Sequence, residues 1–93
     1  MNRNTGRARY RRADGTQVLG AQLPGMTDQE LLALYEETRK DMDELAKRMM
    51  QLSDDRRTDT LEMEGAKTRW RLARVFRCEA ACLLIDRELQ EAA

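Results

Sequence analysis

Cys78 and Cys82 stand four residues apart near the carboxyl end of the chain, a spacing that puts both thiols on one face of a helix. Two thiolates are half of a tetrahedral zinc set, so a metal would need the same pair from a second copy. Burial as small apolar side chains asks for nothing further, and no metal or other cofactor is expected. The CxxxC spacing is not that of a dithiol redox motif. The chain has no histidine, which removes the usual general base and the commonest metal ligand. The lone serine, Ser53, has no base that spacing assigns to it, and no glycine-rich phosphate loop is present. No residue is therefore singled out as catalytic, and the expectation is a protein that is not an enzyme.

Binding chemistry is better represented. Residues 1–13 carry Arg3, Arg7, Arg9, Arg11 and Arg12 with no acid, a local charge of +5. Residues 27–52 carry seven acids and four bases, giving −3, while the whole chain is neutral. Arg7, Arg9, Arg11 and Arg12 are suited to phosphates, with Tyr10 placed to stack on a base. A solvated tail, or a basic strand folded against the acidic helix that follows, uses the same residues without nucleic acid. A second basic feature runs into "RWRLARVFRC", residues 69–78, where Arg71 and Arg74 continue a stripe from Lys67 at spacings of four and three. A neutral total argues against a dedicated nucleic-acid coat protein.

These residues need elements to hold them. Four of the five glycines and the single proline precede residue 26, so the chain divides into an irregular basic arm, 1–25, and a helical part, 26–93. Asp14-Gly15 suits a tight turn, so the arm is either a small β-hairpin or, as the poor alternation of its flanks favours, an extended segment. Thr27-Asp28-Gln29-Glu30 fits a capping box, with Met26 and Leu31 placed as a hydrophobic staple. Leu31, Tyr35, Thr38, Met42, Leu45, Met49 and Leu52 then alternate steps of four and three, predicting a helix over 27–52 with one seam. Residues 53–60, "SDDRRTDT", lack any large apolar side chain and read as a hairpin tip, with one continuous helix through them as the rival reading. A second helix follows over 61–91, capped by Asp59 or Thr60, its face of Leu72, Ala73, Phe76, Ala80, Leu83 and Leu84 turned to the first.

The expected fold is all-α: an antiparallel, coiled-coil-like helical hairpin with a short irregular N-terminal arm. Because the core periodicity starts at Met26, deletion of residues 1–22 is expected to leave the helices folded. Asp54 and Asp55 at the tip are candidate contact residues. An acidic pair at a helical tip resembles the coiled-coil tips of Gre-type transcription-cleavage factors, which enter RNA polymerase. The resemblance covers those two residues and the shape, and that family's globular domain is not evident. "MTDQELLALYEETRKDMDEL" is similar to the first helix of a bacterial large-subunit ribosomal protein that is itself a small helical hairpin. The neutral charge, the arm and the second helix's extra apolar row depart from that family, and the chain is not assigned to it.

That extra row is Val75, Cys78, Cys82, Ile85 and Leu89, on the opposite side of the second helix from its inward face. A helix apolar on two sides is buried on two sides. A homodimer, drawn as a four-helix bundle, is therefore expected, with this row as its seam. The functional expectation is a small non-catalytic interaction module that binds a protein partner, an adaptor or inhibitor of a larger machine in the style of phage or mobile-element proteins. The alternative is an accessory nucleic-acid binder using the arm and the Lys67, Arg71, Arg74 stripe. The longest uncharged apolar run, Ala80–Ile85, is too short to span a membrane. No signal peptide is evident either, so a cytoplasmic location is expected.

Overall fold

The computed structural model describes residues 6–54 and 60–92. Two short strands, β1 (Arg9–Arg11) and β2 (Gln17–Leu19), are followed by a 3₁₀ segment (Gly20–Gly25) and two long helices, α1 (Asp28–Asp54) and α2 (Thr60–Ala92). The helices fold back on one another. Arg87 Nη1 at the far end of α2 meets Asp28 Oδ1 at the start of α1, 2.7 Å away, and Arg48 pairs with Glu62 near the tip. This antiparallel pairing excludes a single continuous helix through the tip. Residues 55–59, with Asp55 and Asp59, lie outside the described residues.

The start of α1 is built as its sequence dictates. The Glu30 amide donates to Thr27 Oγ1 and the Thr27 amide donates to Glu30 Oε1, each at 3.2 Å. Two donors that the first turn leaves unpaired are thereby satisfied. These contacts with Thr27, through its backbone first and its hydroxyl second, hold the Glu30 carboxyl below its ordinary pKa. Met26 packs against the core beside the buried Leu31, completing the staple.

The arm is an antiparallel β-hairpin, not an extended segment. Tyr10 faces Val18 across it. At its turn the Gly15 amide donates to the Arg12 carbonyl at 3.0 Å and the Arg12 amide to the Thr16 carbonyl at 2.8 Å. Gly15 sits at φ +88°, so this is a three-residue loop with a left-handed glycine rather than a two-residue turn. Asp14 Oδ1 accepts from both the hydroxyl and the amide of Thr16, at 2.6 and 2.9 Å, which fastens the loop and holds the Asp14 carboxyl below its usual range.

The hairpin also belongs to the core. Tyr10, Val18 and Leu23 are buried in one cluster with Leu31 and Leu34 of α1 and Ala73, Phe76 and Ala80 of α2. Tyr10 lies against Phe76 with ring centroids 5.6 Å apart. The boundary at residue 25 thus divides composition but not packing, and deletion of residues 1–22 would strip Tyr10 and Val18 from the core. The small side chains Ala73 and Ala80, one heptad apart, leave room for the facing elements. Thr38, the polar member of the α1 seam, is fully buried, and its hydroxyl donates back to the Leu34 and Tyr35 carbonyls. Leu34, which a strict four-three seam passes over, is also fully buried, because the hairpin and 3₁₀ segment widen the face that α1 must present.

Candidate interaction surface

Helical geometry sets the outer face of α2 apart. At about 100° per residue, Ala66, Ala73, Phe76 and Ala80 cluster on the side turned to α1 and the hairpin. Val75, Cys78, Cys82, Ile85 and Leu89 cluster roughly half a turn away. All five are exposed: Val75 at 39%, Ile85 at 54% and Leu89 at 64%, with Cys78 and Cys82 as free thiols. Val18 and Leu23 are used on the inner side, in the core cluster, and not over this row. Lys67, Arg71 and Arg74 fall on the same outer side, Lys67 and Arg71 ahead of the apolar row and Arg74 beside its start. The stripe and the row are therefore one continuous face, basic then apolar. Among the described residues, no group of three His, Cys, Asp or Glu side chains is placed to hold a metal ion.

The arginines of residues 69–77 part company along α2. Arg77 lies over the Tyr35 ring, 4.5 Å from its centroid, and donates from Nη2 to the Tyr35 hydroxyl at 3.0 Å. Arg74 lies over Trp70 at 5.7 Å, and Lys67 pairs with Glu64 at 3.5 Å. Arg69 is exposed and lines a groove beside the hairpin, and Arg71 is exposed on the outer face.

The basic arm is folded against α1. Arg12 Nε donates to Glu37 Oε2 at 2.9 Å, and the Ala13 amide donates to Glu37 Oε1 at 3.2 Å. The Tyr10 hydroxyl donates to Asp41 Oδ2 at 2.9 Å. Burial is the main cause that raises the Tyr10 pKa above its ordinary value, followed by that bond and by the negative charges of Asp41 and Glu37. Tyr10 is only 4% exposed and so is not a base-stacking platform, which corrects that expectation. Glu37 and Asp41 were not among the candidate residues. The only sequence signal for them was the acid excess of α1 beside the basic arm.

Arg7, Arg9 and Arg11 remain exposed. Arg9 and Arg11 flank a groove of about 630 Å³ where the hairpin meets both helices. Arg12, Lys40 and Arg69 add positive charge to its lining, while Glu37, Asp41 and Glu44 oppose them. Asp54 is exposed at the last position of α1, and its neighbour Asp55 is outside the described residues.

Fold and surface together define a class: a helical hairpin strapped by a β-hairpin, carrying a long exposed apolar row on its second helix. Compared with protein-family models, with curated proteins and with solved structures, the chain matches none. Among the described residues, no helix is long and apolar enough to cross a membrane.

Proposed function

We propose that this protein is a small, non-catalytic helical interaction module whose working surface is the outer face of α2, used first for pairing with a second copy and then for presenting the pair to a protein partner. The observation that carries the reading is the unbroken exposed row Val75, Cys78, Cys82, Ile85, Leu89. Scattered surface apolar residues need no explanation, but a contiguous row on a small monomer marks an interface. Because the row lies across α2 from α1, the paired hairpins form a stack with two α2 helices at its centre and α1 on each outside. A cytoplasmic setting fits two exposed thiols that remain free.

A non-catalytic role is supported by where the perturbed groups sit. Tyr10, Asp14 and Glu30 are shifted by contacts that fasten the hairpin and cap α1 rather than by a shared cleft. The nucleic-acid alternative loses Tyr10 to the core and Arg12 to Glu37. It retains one favouring observation, the cations Arg9, Arg11, Lys40 and Arg69 around the groove. Salt separates the readings. A phosphate-tracking surface releases counterions and loses affinity steeply as salt rises, whereas an apolar seam holds. The expected outcome is no shift of generic DNA or RNA at about physiological salt, and capture of one defined polypeptide that Ile85→Asp abolishes. Salt-sensitive nucleic-acid binding that Arg9→Ala and Arg11→Ala remove would favour the alternative.

A further inference from the structure

We infer that two copies dock through the outer faces of α2 in antiparallel register, centred midway between Cys78 and Cys82. The inference rests on the self-association reading above and adds its orientation and register. Arg71, Val75, Cys78, Cys82, Ile85 and Leu89 step by four, three, four, three and four along one exposed face, the spacing of two supercoiled helices in contact. Turned end for end about position 80, this row matches itself. Cys78 meets Cys82 of the second copy, Val75 meets Ile85, and Arg71 meets Leu89. Each apolar layer is filled, and the Arg71 stem lies over Leu89 with its charge carried out to solvent. Parallel docking instead stacks Arg71 on Arg71 inside the seam, with no acid in the row to offset the pair.

Charge points to the same orientation. On the outer side of α2, the half before Cys78 carries Glu64, Lys67, Arg71 and Arg74, three bases against one acid, net +2. The half after it carries Glu79, Asp86 and Glu88, net −3. Antiparallel docking lays the positive half over the negative half twice and opposes the two helix dipoles. Along one edge, Arg74, Ala81 and Glu88 recur every seven residues, so Arg74 comes beside Glu88 of the second copy, twice over. Along the other edge Glu79 meets its own counterpart, a like-charge contact. In parallel docking Arg74 would meet Glu79 instead, and Glu88 would have no partner.

Sedimentation equilibrium of the full chain at low salt tests the register through the dimer dissociation constant. Arg74→Glu and Glu88→Arg should each weaken the dimer roughly tenfold, and the double variant should restore it, as expected for exchanged ion pairs. Glu79→Gln should tighten it. None of these side chains is buried, so circular dichroism melts should stay close to the parent's. Weakening by Glu79→Gln with no response to Glu88→Arg would overturn the inference in favour of parallel docking. A dimer that none of the charge variants moves would overturn it in favour of another face. A wild-type chain that is monomeric at every concentration would overturn the self-association reading itself.

Discussion

Tyr10 joins the hairpin to both helices through one side chain. Its ring packs on Phe76 and its hydroxyl donates to Asp41. Tyr10→Ala should cost about 3–5 kcal/mol in chemical denaturation, the range for a buried aromatic lost from a core. Tyr10→Phe keeps the ring and should cost about 1 kcal/mol, the contribution of one hydrogen bond. The raised pKa gives a further test. In the unfolded chain the phenol ionises near 10, while the folded protein keeps its proton above that value. The unfolded state therefore binds fewer protons as pH rises past 10. The stabilisation is complete below pH 10 and is lost on the way up to the folded-state pKa. Between pH 10 and 12, wild-type stability should fall more steeply than that of Tyr10→Phe, by up to about 1.4 kcal/mol per pH unit. Parallel pH profiles for the two proteins would contradict a proton held at Tyr10.

At the scale of elements, the β-hairpin and the α1 cap make separate predictions. Gly15 sits at φ +88° with no atom near where a Cβ would stand, so Gly15→Ala meets backbone strain and no clash. It should destabilise by about 1–2 kcal/mol. Thr27→Ala removes the capping hydroxyl and should cost about 1 kcal/mol in a urea melt. Deletion of residues 1–22 removes Tyr10 and Val18 from around Phe76. The loss, about 1.5–3 kcal/mol for each large side chain unburied, is a large share of a small domain's stability. A broad, early melt with dye binding to exposed apolar surface is expected, and an unchanged Tm would refute the hairpin's place in the core. The start of α1 was legible because capping is local chemistry, read from four consecutive residues. The hairpin's burial was not, because it depends on Tyr10 reaching Phe76 and Asp41, contacts made across dozens of positions. Poor alternation in β1 and β2 followed from their shortness: three residues each leave one inward side chain per strand.

The whole molecule is 53 Å long and about 23 Å across, an extended hairpin that leaves one helix half uncovered. The outer row of α2 was legible because periodicity alone separates the two faces of a helix, and its exposure is what the packed hairpin leaves. What the row meets was not legible, since one copy's sequence lists one side of an interface. Its continuity with the Lys67, Arg71, Arg74 stripe follows from the same periodicity, since both lie on the one helix Thr60–Ala92. This face is proposed as a self-association surface. Light scattering behind a sizing column, at micromolar loading and low salt, tests it most directly. A mass of twice the chain's 10.8 kDa is expected for the wild type. Ile85→Asp, which puts a charge into the seam, should give the mass of one chain with its helical spectrum kept. A wild-type mass of one chain that does not rise with concentration, or an Ile85→Asp variant as dimeric as its parent, would contradict it.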